Sequence, residues 1–122
     1  MDQVRIGYRS TRFDETWRFY IEALGAEVIT SWTDHGRGVV VRLAGTACIE
    51  VFEAEQADIP NVMVAAQVDD VGHWADRLDT AGVQLSQPLI DQPWGHRSLS
   101  FIDPNGLIVT LFEVVAAEES TR

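Results

Sequence analysis

Lysine is missing from this chain: all nine basic residues are arginines, set against 19 acidic ones for a formal net charge of −10. Its absence excludes Schiff-base chemistry and the lysine of a phosphate-binding loop. The acidic balance disfavours nucleic acid as a partner, because phosphate binding needs a basic footprint. Cysteine is nearly missing too. Cys48 alone rules out an intramolecular disulfide and a cysteine-rich zinc cage. No apolar run approaches the roughly 18 residues of a membrane span. Met1-Asp2-Gln3-Val4-Arg5 lacks the basic-then-apolar layout of a signal peptide. A cytoplasmic protein with no membrane partner is therefore expected. The acidity reads first as solubility and second as attraction for a cationic ligand.

What is present is a repeat. Each half runs from an apolar strand into a Trp-bearing amphipathic segment, which ends at Gly25 or Gly82, eight residues after Trp17 or Trp74. Each half closes with strand, Gly-containing turn and strand, finishing on Phe52-Glu53 or Phe112-Glu113. Such spacing signals two copies of one supersecondary unit, with a groove between copies as the natural ligand site. The 122 residues allow one compact domain over 1–122, with a first module at about 3–54 and a second at about 61–115. Residues 116–122 lack apolar periodicity and are expected to fray.

Local signals fill in the modules. Val4 to Arg9 reads as a strand, and Thr11 with Asp14 as a capping box that opens a helix. Phe13, Trp17, Tyr20, Ile21 and Leu24 form its buried stripe, closed by Gly25. Strands follow near Glu27 to Thr33, Gly38 to Leu43 and Ala47 to Phe52. Glu53 to Pro60 is the linker. Val62 to Val68 opens the second module, Asp69-Asp70 caps a helix, and Val71, Trp74, Leu78 and Ala81 face its core. Val83 to Ile90 contains Pro88 and suits a sheet edge. Arg97 to Asp103 and Leu107 to Val115 make a last hairpin. The order is β-α-β-β-β twice, an α+β chain with helices on one face of curved sheets.

Phe19-Tyr20 in the first helix, Leu24-Gly25 at its end, Val68-Asp69-Asp70 opening the second and Asp103-Pro104-Asn105-Gly106 in the last hairpin resemble the vicinal-oxygen-chelate superfamily. That group holds glyoxalases, extradiol dioxygenases, fosfomycin-resistance transferases and bleomycin-binding proteins. The resemblance covers nearly the whole chain. It implies paired βαβββ modules around a concave groove (the glyoxalase/bleomycin resistance fold) and a homodimer with two such sites. It does not single out one activity, because the fold hosts many.

Strand parity assigns side chains to faces. A three-residue loop Pro104-Asn105-Gly106, with Gly106 in the left-handed position of a bulge, sets Phe101 opposite Val109 and Leu99 opposite Leu111 beneath the helix. His96, Ser98, Ser100, Ile108, Thr110 and Phe112 then face the groove. In the first module Cys48, Glu50 and Phe52 do so. Arg5, Gly7 and Arg9 face it on one opening strand, and Met63, Ala65 and Gln67 on the other. Trp32 and Trp94 stand near the groove mouth, where aromatic walls suit planar ligands; rim packing or a dimer contact is the alternative. Trp17 and Trp74 read as core, and His35 and His73 as surface.

In metal-dependent relatives four strand positions carry His or Glu. The resemblance maps those positions to Arg5, Glu50, Met63 and Thr110, of which only Glu50 is a competent ligand. A rebuilt set of Cys48, Glu50 and His96 is the less favoured alternative. No metal and no other cofactor is expected. Arg5 should pair with Glu50 to fill the vacancy; alternatively Arg5 and Arg42 hold an anionic group on a ligand.

Three functions compete. The leading one is a metal-free binding protein, similar to the bleomycin-binding branch, sequestering an antibiotic or another planar or cationic compound. The second is a metal-independent lyase or isomerase with Glu50 as general base and His96, Ser98 or Ser100 orienting the substrate. The third is a protein-interaction module whose cleft is vestigial.

Overall fold

In the computed structural model, residues 3–117 are described. The first module contains β1 (Val4–Ser10), α1 (Phe13–Trp17) running on as a wider π-helical segment (Arg18–Ala23), β2 (Glu27–Trp32), β3 (Gly38–Ala44) and β4 (Ala47–Glu53). The second contains β5 (Met63–Gln67), α2 (Val71–Thr80), β6 (Leu85–Asp91), β7 (His96–Ile102) and β8 (Ile108–Val114). Each module is one four-stranded sheet, in the order β1-β4-β3-β2 or β5-β8-β7-β6. The opening strand pairs in parallel with the closing one and every other pairing is antiparallel. The repeat in the sequence is thus a repeat in space.

Glycines end both helices where a left-handed backbone is required, at Gly25 (φ 73°) and Gly82 (φ 74°). Asp70 caps α2, its carboxylate accepting from the His73 amide at 3.3 Å. The first helix begins differently from the expected Thr11–Asp14 capping box. Arg12 is its N-cap residue, with no side-chain cap bond. Ser10 Oγ instead accepts from the Arg12 amide at 2.9 Å, and Thr16 Oγ1 donates to the Arg12 carbonyl at 2.7 Å. Asp14 is drawn away to Arg37 at 2.8 Å.

The helix-facing sides of the two sheets close on one shared core. Val39, Val41, Ile49 and Val51 from the first sheet join Leu99, Phe101, Val109 and Leu111 from the second, together with Tyr20, Leu24, Val71 and Leu78 from the helices. Leu99, Phe101 and Val109 are fully buried (0% exposed), and each large side chain of this kind contributes about 1.5–3 kcal/mol by leaving water. Trp17 and Trp74 pack against that core from a partly buried position, while Ala81, expected inside, is exposed. His35 and His73 are exposed as expected.

The last hairpin has the expected register: Phe101 opposite Val109, Leu99 opposite Leu111, and Gly106 at φ 96°. Strand β6 with Pro88 lies on the sheet edge. The expected fraying is corrected at Ala116, whose amide bonds the Gly95 carbonyl at 3.2 Å; residues 118–122 lie outside the described residues. Among the described residues no helix is long and apolar enough to cross a membrane.

Candidate functional site

Because both sheets turn their helix sides into the common core, their other faces point away from it. Alternation along β1, β3 and β4 gives the first face Arg5, Gly7 and Arg9, then Gly38, Val40 and Arg42, then Cys48, Glu50 and Phe52. On the second face the same rule places Met63, Ala65 and Gln67 beside Ile108, Thr110 and Phe112, then His96, Ser98, Ser100 and Ile102. Register makes the faces equivalent position by position. Arg5 pairs with Cys48 as Met63 does with Ile108, and Gly7 with Glu50 as Ala65 does with Thr110. Arg5 and Met63 are therefore counterparts, as are Glu50 and Thr110.

Arg5 Nη1 meets Glu50 Oε2 at 3.2 Å, with side chains 39% and 20% exposed, and its Nε donates to Gln3 at 2.9 Å. Arg42 flanks Cys48 on the opposite side from Arg5, but its Nε bonds Glu27 at 3.0 Å and its Nη1 donates to the Gly45 carbonyl. A joint anion clamp by Arg5 and Arg42 is not assembled in this arrangement. Arg9 closes the face by pairing with Asp58 of the linker at 3.0 Å, beside a backbone bridge between the same two residues. A hollow of about 390 Å³ opens there, lined by Gly7, Arg9, Phe52, Asp58 and Pro60 among others.

Two aromatic groups decorate the faces. Trp32 lies over Gly38, where no Cβ would fit beneath its ring, and 5.7 Å from Phe52. On the second face His96 stacks on Phe112 at 4.5 Å with an interplanar angle of 15°, and Trp94 approaches His96 edge-on at 6.5 Å. Phe52 and Phe112 occupy equivalent positions, opposite Gly38 and Ser98 respectively.

On the second face Ser100 Oγ and Thr110 Oγ1 lie 2.7 Å apart on adjacent strands, and Thr110 reaches Met63 Sδ at 3.8 Å. Sequence reasoning missed the two carboxamides that meet Ser98, with Gln87 Nε2 donating at 3.1 Å and Gln92 Nε2 at 3.2 Å. The Pro88 strand that carries Gln87 shifts register twice against β7, so counting parity along it does not locate its side chains. A cluster of Gln and Ser around Pro88 was the only signal available.

The four positions mapped to a metal do not fit one. Arg5 is a permanent cation already bonded to Glu50, the single carboxylate of the set, while Met63 offers a thioether and Thr110 a hydroxyl. The alternative set of Cys48, Glu50 and His96 is not brought together either. Among the described residues no group of three or more His, Cys, Asp or Glu could hold an ion.

This architecture has a family. Residues 3–111 match the glyoxalase/bleomycin resistance protein/dioxygenase superfamily, and the chain belongs to it. Solved structures agree on the fold. TioX from Micromonospora sp. ML1 superposes with a TM-score of 0.77 at 19% identity, covering 93% of this chain and 99% of that one. TnmS3, an antibiotic binding protein from Streptomyces sp. CB03234, gives 0.75 at 20% identity over 93% and 96%. A glyoxalase/bleomycin resistance protein/dioxygenase from Nocardioides gives 0.73 at 17% identity over 100% and 88%. No curated protein matches the chain by sequence.

Proposed function

We propose that the protein binds a flat small molecule, holding it stoichiometrically and without metal, in a groove formed by the first-module face of one copy and the second-module face of another. The reading is carried by one observation: the aromatic rings at equivalent positions of the two faces, Phe52 with Trp32 and Phe112 with His96, lie on surfaces turned away from the core. Facing each other across a dimer, these rings would make walls for a planar compound. Each sheet also leaves its opening strand at an edge, β5 with no neighbouring strand on its outer side and β1 bridged there only at Arg9 by Asp58 of the linker. Exposed Val4, Val62, Met63, Ile102 and Ile108 lie on or beside those edges and faces, which a second copy would cover. Likeness to TnmS3, an antibiotic binding protein, supports a role in binding a small molecule.

Three measurements test the reading. Sedimentation at micromolar concentration should give twice the protomer mass. Elemental analysis should find no stoichiometric zinc, nickel, manganese or iron; one metal per protomer, lost in Glu50→Ala, overturns the metal-free part. Titration with planar antibiotics should quench tryptophan emission saturably, and its absence across a broad panel removes the binding function.

A further inference from the structure

The charges on the groove faces are distributed in a way that bears on what the groove would accept. On the first face each arginine has a carboxylate partner: Arg5 with Glu50 at 3.2 Å, Arg9 with Asp58 at 3.0 Å and Arg42 with Glu27 at 3.0 Å. A charged ligand would compete with an ion pair already formed, and would lose its own hydration on entering. On the second face the groove-facing positions of β5, β7 and β8 carry no Asp, Glu or Arg. The net charge of −10 therefore belongs to the rest of the surface and not to these walls.

The second wall does offer hydrogen bonds. Gln87 and Gln92 direct their amide nitrogens to Ser98 Oγ, and among the described residues nothing donates to their oxygens. Two neutral acceptors thus stand beside Ser98 of β7, the strand that also carries His96 of the flat His96–Phe112 stack. A carboxamide oxygen calls for a donor such as a phenolic O–H or an amide N–H, and with no unpaired countercharge among the described residues of either face an ionic donor would not recover the hydration it loses on entering.

We infer that the ligand is an uncharged planar aromatic bearing O–H or N–H donors, held face-on by Phe112 and His96 and edge-on by Gln87 and Gln92. This rests on the reading of the groove as a site for a flat compound, and it narrows that reading by excluding cationic and anionic rings.

Four probes sharing one ring plane separate the possibilities: acridone (neutral, N–H donor), N-methylacridone (neutral, no donor), N-methylacridinium (cation) and acridine-9-carboxylate (anion). Equilibrium dialysis against the full chain should give acridone the lowest Kd, by roughly tenfold over both ions and several-fold over N-methylacridone. Gln87→Ala and Gln92→Ala should each shrink the acridone preference over N-methylacridone while leaving the ions weak. If either ion binds as tightly as acridone, the neutral-ligand inference fails and the flat-ligand groove stands. If N-methylacridone matches acridone, the two glutamines are not the donor readers. If no probe saturates, both the inference and the groove reading fall together.

Discussion

Tyr8 donates a 2.6 Å hydrogen bond to Asp103 Oδ2 across the boundary between the modules, and Tyr20 donates to the same oxygen at 2.8 Å. These are the only two tyrosines in the chain. Asp103 Oδ1 takes the amides of Asn105 at 2.8 Å and Leu107 at 3.0 Å, which fixes the turn of the β7–β8 hairpin. Asn105 in turn meets Thr16 at 2.7 Å and Ser10, and Arg12 donates to the Pro104 carbonyl at 2.9 Å. The last turn of the second module is therefore seated in the first, beside the core that the two sheets share.

Asp103→Ala should be among the most damaging single changes. It strands two phenols and two backbone amides in a site where Asp103 is 4% exposed, and each orphaned buried donor costs about 1–3 kcal/mol. A loss of roughly 3–5 kcal/mol is expected by urea unfolding, against about 1–2 kcal/mol for Tyr8→Phe. Equal effects for the two variants would show that Asp103 is not the hub.

Alkaline titration reads the same network. Burial, reinforced by the Asp103 charge, pushes the Tyr8 phenol far above its ordinary value; burial and then the neighbouring Tyr8 and Asp103 do the same for Tyr20. A raised folded-state pKa contributes stability that is fully present below the unfolded value near 10 and is lost as pH climbs above it. Ultraviolet absorbance should show no phenolate at about pH 10.5 while the fold persists, followed by both tyrosines ionising together with unfolding. A gradual non-cooperative rise beginning near pH 10 would contradict the buried network.

The repeat, the order of elements along the chain and the register of the last hairpin were legible because strand parity is strict and the Pro104-Asn105-Gly106 loop pins one register. Leu99, Phe101, Val109 and Leu111 fell on the core side for that reason. The polar seat around Asp103 was not legible, because Tyr8 and Tyr20 lie far from it in sequence and read only as apolar-stripe residues. The capping of the first helix was misread because Arg37, across the module, takes Asp14 away from the helix end. Gln87 escaped because a strand with two register shifts has no parity to count, and Gln92 because it lies in the turn that follows that strand.

Leu99 and Ser100 are neighbours in sequence with opposite roles. Leu99→Ala removes a fully buried side chain (0% exposed) and should cost roughly 2–5 kcal/mol. Ser100→Ala removes one hydrogen bond to Thr110, worth about 0.5–1.5 kcal/mol, and should mainly weaken ligand binding. Melting temperatures in the reverse order would be incompatible with the face assignment of β7.

Arg37 ties the start of the first helix to β4, bonding Asp14 at 2.8 Å and Glu53 at 2.7 Å while its guanidinium lies 4.7 Å from the Phe13 ring centre. Its hydrogen bonds hold both carboxyls below the usual carboxylate range. Depressed folded-state values contribute stability above the ordinary carboxylate range that is lost as pH falls through them. Solvent screening keeps the effect small, since these side chains are largely exposed. Arg37→Gln should lower the melting temperature modestly at neutral pH, with the gap to wild type closing under acid. A gap that widens as pH falls would reverse the sign argued here.

Gly38 and Gly7 offer a paired test of the aromatic wall. A Cβ on Gly38 would enter the space of the Trp32 ring, so Gly38→Ala must displace the indole from its place over β3 and beside Phe52. A Cβ on Gly7 would meet Phe52 and Glu50 no closer than 3.6 Å, which is ordinary van der Waals contact. Gly38→Ala should therefore cost about 1–3 kcal/mol through overpacking, whereas Gly7→Ala should leave the melting temperature nearly unchanged. In a two-dimensional nitrogen–proton spectrum, one of the four indole signals should move strongly in Gly38→Ala and remain in place in Gly7→Ala. Acridone affinity should fall in both, in the first because a wall is lost and in the second because the added methyl enters the hollow of about 390 Å³ that Gly7 helps to line. If Gly38→Ala keeps all four indole signals and full acridone affinity, Trp32 does not form the groove wall.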